Sequence, residues 1–278
     1  MPLYNLTTPA GLRRTTNLQK SFEKYFILRS AVQVYKMINQ AAKEILDGHR
    51  EISYVRKRLS ESQRTDFPKY TCCLSLDLEI HREVFWDEDN NATGRWVTEN
   101  LPAMAGKEVL EIGCGCGLTA LYLAKNGARH VLATDINPSA VTNTQANAVR
   151  NEIDNVTVVQ SNLFEKINPS LRFNCVVCHM PATRVPLDFE FKSMVEHSSF
   201  DPGASLLTGF LNEAPKYLSP SGALLLCYNV SRDESFILEE SKKFPVMTRK
   251  IASKKFTTDS MINVHLYEIR PLVDEIKT

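Results

Sequence analysis

The 278-residue chain has no run of about 18 apolar residues, the length that a membrane-spanning helix requires. Its first residues, Met1 to Thr7, lack the charged-then-apolar order of a secretory signal. The formal net charge is only +1, so no overall charge draws the chain to nucleic acid or to an anionic membrane. Seven dispersed cysteines do not form the dense framework of a small secreted domain. These absences predict a cytoplasmic protein with reduced thiols and no membrane partner.

The cysteine spacing predicts no metal site. Cys175 and Cys178 have the spacing of a zinc or redox pair, but residues three apart on a strand point to opposite faces. No second pair of cysteines lies at metal-site spacing. We therefore expect these thiols to be packing residues.

Charge is distributed unevenly along the chain. Residues 1–70 hold thirteen cations against six acids, an excess of +7 that the rest of the chain offsets. Apolar residues at helical spacing predict helices over Leu18 to Leu46 and Ile52 to Leu59. We predict a mainly helical N-terminal extension over residues 1–100. Its basic face either docks on an acidic partner domain or faces nucleic acid.

The remainder, residues 101–278, alternates short apolar strands with amphipathic helices. This order predicts an α/β domain with a Rossmann-like, doubly wound, mostly parallel sheet. The predicted strands are Glu108–Ile112, Val131–Thr134, Val156–Gln160, Cys175–His179, Ala223–Tyr228 and Ile262–Ile269. The predicted helices are Leu118–Asn126, Pro138–Asn151, Leu206–Leu218 and Glu234–Lys243.

A glycine-rich turn follows the first of these strands. Gly113, Gly115 and Gly117 alternate with Cys114 and Cys116 before a helix begins. Glycine is needed where a backbone turns sharply and a ligand lies against it. Asp135 ends the next strand about twenty residues later, where a carboxylate suits the two hydroxyls of a ribose. The two features together predict a nucleotide-type cofactor site rather than a simple tight turn.

The spacing G-x-G-x-G, with Glu111 two residues before the first glycine, departs from the dinucleotide pattern G-x-G-x-x-G. It resembles motif I of the class I S-adenosylmethionine-dependent methyltransferases. From about Val84 to Ile269 the chain resembles their small-domain group, which includes release-factor glutamine and ribosomal RNA guanine methyltransferases. The resemblance implies S-adenosylmethionine as the cofactor.

The resemblance also implies roles for single residues. In this family Glu111 contacts the methionine portion of the cofactor, Asp135 binds the ribose hydroxyls and Ile136 packs on adenine. Asn162 stands where the family usually has an aspartate that reaches the adenine amino group. An amide oxygen accepts the same hydrogen bond.

The end of the fourth strand departs from the family pattern. The group carries Asn-Pro-Pro-Tyr or Phe there, whereas this chain reads His179-Met180-Pro181-Ala182. Both the amide acceptor and the stacking ring are absent. His179 lies where acceptors dock in open α/β sheets, and a histidine titrates near neutrality. We therefore predict that His179 orients or deprotonates the methyl acceptor. The alternative is a buried histidine bonded to the backbone.

Further residues are candidates for contacts with the acceptor. Phe85 and Trp86 either roof the methyl group or pack the N-terminal helices onto the core. Met180 and His197, with the neighbouring Glu196, are the other candidates.

The sequence leaves several functions open. Methylation of a nitrogen or oxygen on a small molecule is the preferred prediction. A protein side chain or RNA is the alternative acceptor. A non-catalytic, cofactor-binding scaffold is a third reading, prompted by the altered fourth-strand motif.

Overall fold

The computed structural model describes residues 33, 36, 37, 48–64, 66–86, 92–231, 233–256 and 262–272. Contacts divide the chain into two units, residues 1–53 and 54–278. In the first unit the described residues are helical. The helix predicted over Leu18 to Leu46 lies almost entirely outside the described residues. Within the described part, no helix is both long and apolar enough to span a bilayer.

The second unit is built on a seven-stranded sheet in the order β10-β11-β9-β6-β3-β4-β5. All of its strands except β11 are parallel. The strands are β3 (Glu108–Ile112), β4 (His130–Asp135), β5 (Val156–Gln160), β6 (Phe173–His179), β9 (Leu218–Asn229), β10 (Val246–Lys255) and β11 (Asn263–Pro271). The predicted α/β, Rossmann-like architecture is confirmed.

Helices α3 (Leu118–Lys125), α4 (Pro138–Arg150), α5 (Ser205–Glu213) and α6 (Phe236–Ser241) lie between these strands, as the alternating pattern predicts. Two helices precede β3: α1, helical over residues 48–62, of which 54–62 belong to this unit, and α2 (Ala92–Asn100). Helix α5 ends earlier than predicted, because the chain tightens into a 3₁₀ turn, Ala214–Tyr217, that contains Pro215.

Apolar side chains cover both faces of the sheet. Leu110 and Val176 belong to one buried cluster, while Val109 and Cys175, one residue earlier on the same strands, belong to the other. Alternation along buried parallel strands requires this division. Cys178 lies in the first cluster and Cys175 in the second, so the prediction that the two thiols face opposite sides is confirmed.

Two strand pairs and one strand of the main sheet were not predicted. Strands β1 (Lys69–Cys73) and β2 (Leu76–Ile80) form a separate antiparallel hairpin. Strand β10 forms one edge of the main sheet. Strand β7 (Thr183–Val185) pairs with β8 (Phe200–Pro202) in a separate two-stranded sheet. The hairpin belongs to the second unit, although the sequence assigns it to the N-terminal extension; the predicted domain boundary near residue 100 stays a prediction.

A row of asparagines on α4 attaches the hairpin to the sheet domain. Asn143 and Asn147 accept from the backbone N–H groups of His81 and Glu79, at 2.9 and 2.8 Å, and both donate to the Glu79 carbonyl. Asn151 makes the same pair of bonds with Asp77. Four helical residues rise about 6 Å and two strand residues about 6.6 Å, so the two periods match over this length. The asparagine amides thus take the place of a neighbouring strand.

Replacing Asn147 with alanine should reduce the free energy of unfolding by about 3 kcal/mol, because the partly buried Glu79 N–H and the buried Cys116 carbonyl lose a partner. Asn151→Ala, at the solvent-exposed end of the row, is the matched control and should cost about 1 kcal/mol or less. Urea denaturation of both variants measures the difference. Equal losses would contradict the central role of Asn147.

Candidate functional site

One cavity of about 350 Å³ lies at the carboxyl ends of β3, β4 and β6. That edge is where ligands bind in open α/β sheets. Nearly all residues predicted for the site line this cavity: Phe85, Trp86, Glu111, Gly113, Gly115, Asp135, Ile136, Asn162, His179, Met180 and His197. The exceptions are Gly117 and Glu196, which do not line the cavity.

The glycine turn forms the floor of the cavity. The backbone N–H groups of Gly113 and Cys114 both donate to the Thr134 carbonyl, at 2.8 and 2.9 Å. Gly115 has a φ of +56°, which other residues adopt at a cost. A Cβ built at Gly113 or Gly115 meets no atom within 4 Å, because it points into the open cavity. The missing side chains leave space for a ligand to lie against the backbone.

Gly117 is needed for a different reason. It precedes α3 with a φ of +88°, and a Cβ there would lie 2.8 Å from the Thr144 Cγ2 atom. The Thr144 hydroxyl also donates to the Gly115 carbonyl at 3.0 Å. Gly117 therefore permits close packing between the turn and α4.

Asp135, at the end of β4, is held by backbone groups. Its Oδ2 accepts from the Gly115 N–H and its Oδ1 from the Asn137 N–H, both at 2.9 Å. Burial raises the pKa of Asp135, while these bonds oppose the rise. Each carboxylate oxygen has a second lone pair, so the group remains able to accept hydrogen bonds from a ribose diol.

Glu111 is the most unusual group in the site. The residue is only 5 % exposed, and its Oε2 has no hydrogen-bond partner among the described residues. Burial raises the pKa of Glu111 to about 8; hydrogen bonds from Ala120 and Thr119 lower it, and the charge of Asp135 adds to the rise. A buried, unpartnered carboxyl oxygen at a cavity wall fits a positively charged ligand group. The ammonium group of S-adenosylmethionine is such a group, so these residues fit the cofactor.

The two residues predicted for the adenine side also line the cavity. Ile136 follows Asp135 directly and is half-buried. The Asn162 amide nitrogen donates to Glu165 Oε1 at 2.8 Å. That bond orients the side chain and leaves its oxygen as the acceptor that an adenine amino group needs.

His179 ends β6 and faces the cavity. Its surface is exposed there, yet the ring lies deep in the protein, and this burial lowers the pKa of His179 to about 4. The imidazole is therefore neutral at pH 7. Met180 is buried beside it, with its N–H donating to the Cys227 carbonyl at 3.0 Å. Ala182, also in the wall, supplies no ring.

Three segments form the outer wall of the cavity, and we call them the roof: α1, residues 83–86 and the 3₁₀ helix Met194–Ser198. Trp86 lines the cavity and also packs in the core between the hairpin, α3 and α4, whereas its predicted packing against the N-terminal helices stays a prediction. The His197 ring stacks on Phe191 with centroids 3.8 Å apart. Glu196 was a candidate acceptor contact, but it is buried and bonds Arg56 instead.

Sequence reasoning missed the α1 residues Val55, Arg58 and Leu59, which line the cavity, and Thr119, which bonds Glu111. The α1 residues lie over a hundred positions before the 3₁₀ helix Met194–Ser198, and no local pattern marks them. Among the described residues, no group of three metal-binding side chains could hold an ion.

The fold matches solved methyltransferase structures. Trm5 of Methanocaldococcus jannaschii, solved with adenosine, aligns with a TM-score of 0.53 and 13 % identity over 74 % of this chain and 56 % of that one. Trm5b of Pyrococcus abyssi aligns with a TM-score of 0.52 and 16 % identity over 74 % and 56 % of the two chains. At these identities the likeness concerns the fold alone.

Relatives by sequence carry methyltransferase names. A Methanocaldococcus jannaschii protein named "Putative protein N5-glutamine methyltransferase" is 26 % identical over 70 % of this chain and 96 % of its own length. A ribosomal protein L11 methyltransferase of Lactobacillus johnsonii is 39 % identical over 27 % of this chain. The match spans only 23 % of that second relative.

The model of the family described as "Methyltransferase small domain" matches residues 76–257, which is more than half of the chain. That range includes the glycine turn, both cofactor-side carboxylates and His179. The chain therefore belongs to the methyltransferase small domain family and is an S-adenosylmethionine-dependent methyltransferase.

Proposed function

We propose that this enzyme methylates a nitrogen or oxygen of a small molecule and that His179 orients the acceptor. The observation that carries the proposal is a neutral imidazole exposed inside a cavity that the roof covers. A covered cavity favours an acceptor that fits beneath the roof. The non-catalytic alternative is set aside, because the chain is a methyltransferase by family.

We assign the cofactor to the glycine turn and to the neighbouring cavity residues Glu111, Asp135, Ile136 and Asn162. The backbone of Gly113 and Gly115 lies against the cofactor, Glu111 pairs with its ammonium group and Asp135 accepts from its ribose. Ile136 and Asn162 hold the adenine. Gly117 acts through packing, since it does not line the cavity.

S-adenosylmethionine, when bound, supplies a methyl group on a positively charged sulfur that is already an activated leaving group. The protein has to align the acceptor, exclude water and take up a proton. Neutral His179 offers a lone pair that accepts a hydrogen bond from the acceptor's N–H or O–H. Its lowered pKa makes it a weak base, so it takes the proton as positive charge or acidity develops on the acceptor.

The wall around His179 favours an uncharged acceptor. Met180, Pro181 and Ala182, which follow His179 directly, line the cavity and offer no ion-pair partner of their own. A charged group moved from water to such a wall loses hydration without compensation. We therefore propose an amine in its neutral form or a hydroxyl as the acceptor.

A protein side chain is the second candidate acceptor. It is favoured by the name of the Methanocaldococcus jannaschii relative, nearly all of which is matched by this chain. A side chain would enter beneath the roof in the same orientation. An RNA acceptor stays a prediction, because the basic segment that suggested it lies mostly outside the described residues. A cytoplasmic site of action also stays a prediction.

Gly115→Ala should retain the fold but bind S-adenosylmethionine at least about tenfold more weakly, because its Cβ points into the cavity. Gly117→Ala should instead lose about 3 kcal/mol of stability, because its Cβ meets Thr144 and its φ is positive. Calorimetric titration and urea denaturation of both variants separate the effects. Wild-type affinity in Gly115→Ala would remove the turn from the cofactor site.

Binding of S-adenosylmethionine at pH 7 should release about one proton from Glu111. Its pKa of about 8 means that the carboxyl is mostly protonated in the free protein, and a neighbouring ammonium group lowers that pKa. Affinity should therefore rise with pH, about tenfold between pH 6 and 7. Titration in buffers of different ionisation enthalpy counts the protons. Glu111→Gln should release none; an unchanged count would place the ammonium elsewhere.

His179→Ala should keep its S-adenosylmethionine affinity within about twofold and lose roughly 10²–10⁴ of its methyl transfer rate. The assay follows labelled methyl transfer into a small-molecule extract and, separately, into lysate protein. In the wild type, protonation of His179 should not reduce the rate until the pH falls toward 4. His130→Ala, on β4 and outside the cavity lining, is the control. Label only in protein would replace the small-molecule proposal; full activity of His179→Ala would end the role of His179.

A further inference from the structure

An ion pair joins two roof segments that lie 140 residues apart in the sequence. The Arg56 Nε donates to Glu196 Oε1 at 2.8 Å, and its Nη2 donates to Glu196 Oε2 at 3.3 Å. Glu196 is only 4 % exposed. A buried carboxylate needs such a partner, so the pair fixes α1 against the 3₁₀ helix Met194–Ser198.

The surroundings of Arg56 require a guanidinium group. Its Nη2 also donates to the Glu190 carbonyl at 2.9 Å, and its central carbon lies 4.8 Å from the centroid of the Phe189 ring. The second carboxylate oxygen of Glu196 accepts from the Lys192 N–H. A lysine cannot reproduce a planar, two-point contact that also stacks on a ring.

Glu83 joins the remaining roof segments. Its N–H donates to Gln63 Oε1 at 2.8 Å, just after α1, and its Oε2 accepts from the Val195 N–H at 3.2 Å. Glu83 has a φ of +65°, a conformation that these contacts hold in place. Helix α1 therefore contacts the 3₁₀ helix through Arg56, and it contacts residues 83–86 through Gln63, the residue that follows it. Residues 83–86 contact the 3₁₀ helix through Glu83.

The roof is also tied to the cofactor side of the cavity. Asn137 donates through its side chain to the Glu83 carbonyl at 2.7 Å and through its backbone N–H to Asp135 at 2.9 Å. On the inner surface of α1, Val55 and Leu59 face the cavity. A displaced α1 would therefore open the cavity over the site of methyl transfer.

We propose that Arg56 is a positioning residue that holds α1 as the roof over the cavity, and so controls how ligands enter and leave it. Arg56 precedes the part of the chain that the family model matches, whereas Glu196 lies within that part. The preceding segment thus completes the site of this enzyme. The inference rests on the roofed cavity assigned above but not on the identity of the acceptor or on His179.

The test measures S-adenosylhomocysteine binding by stopped-flow fluorescence, since Trp86 lines the cavity. In Arg56→Met the association and dissociation rates should both rise about tenfold while the Kd changes little, because a roof that opens speeds both directions. Arg56→Lys should behave like Arg56→Met. Arg95→Met, which breaks the exposed Arg95–Glu99 pair on α2, is the matched control and should keep wild-type rates.

Hydrogen exchange of the full chain gives a second readout. Amides of residues 54–62 should exchange faster in Arg56→Met, while those of β3 remain protected. Glu196→Gln, which keeps the shape of the partner, guards against failure of Arg56→Met to fold and should show the same changes more weakly. Unchanged binding rates would overturn the proposal. So would faster exchange throughout β3 with loss of affinity, since Arg56 would then stabilise the fold generally.

Both readouts use the cofactor product alone. A negative result therefore leaves the proposed acceptor and the role of His179 standing. Conversely, a fully active His179→Ala variant together with fast ligand exchange in Arg56→Met would refute the role of His179 and leave the role of Arg56 standing.

Discussion

The three glycines of the turn have no side chains with which to hold its shape, and the rest of the site depends on the groups that hold the turn from outside. Thr144 and Asn147 on α4 donate to the Gly115 and Cys116 carbonyls, and Asp135 accepts from the Gly115 N–H. The same helix holds hairpin strand β2 through its row of asparagines. One polar face of α4 therefore sets the positions of the cavity floor and of the segment that leads into residues 83–86.

This arrangement places two carboxyl groups, Glu111 and Asp135, beside a single cavity. Burial raises the pKa of each, and the charge of Asp135 raises that of Glu111 further. Glu111 lacks a partner for one oxygen within the described protein, while both oxygens of Asp135 have backbone donors. The two acids thus differ in kind: Asp135 is oriented in advance for hydroxyl groups, and Glu111 gains its missing partner from a ligand. An active site that stores an unmet interaction sacrifices some stability of the free protein for ligand binding.

Local signals in the sequence were enough to predict the parallel sheet, the glycine turn and its acidic partner, because strand, turn and helix start all lie within about thirty residues. Hairpin β1–β2 and strand β10 escaped prediction although each pairs with a strand next to it in the sequence, because β1 and β10 contain no fully buried residues to mark them. The spacing of Asn143, Asn147 and Asn151 is visible in the sequence, but nothing local says that a strand edge lies opposite. Arg56 and Glu196 are separated by 140 residues, and each alone resembles an ordinary surface charge.

The altered fourth-strand motif and the roof are two parts of one change. A site that presents an amide acceptor and a stacking ring at the strand end grips a planar group from one side and can remain open. In this chain the strand end offers a neutral imidazole and small or flexible side chains, His179, Met180 and Ala182, which grip little by themselves. On the proposed function, enclosure by the roof supplies the alignment that stacking no longer gives, through contacts that no local motif contains. Acceptor choice would then depend on α1, which precedes the part of the chain that the family model matches, and on the 3₁₀ helix Met194–Ser198 as much as on the strand end at residues 179–182.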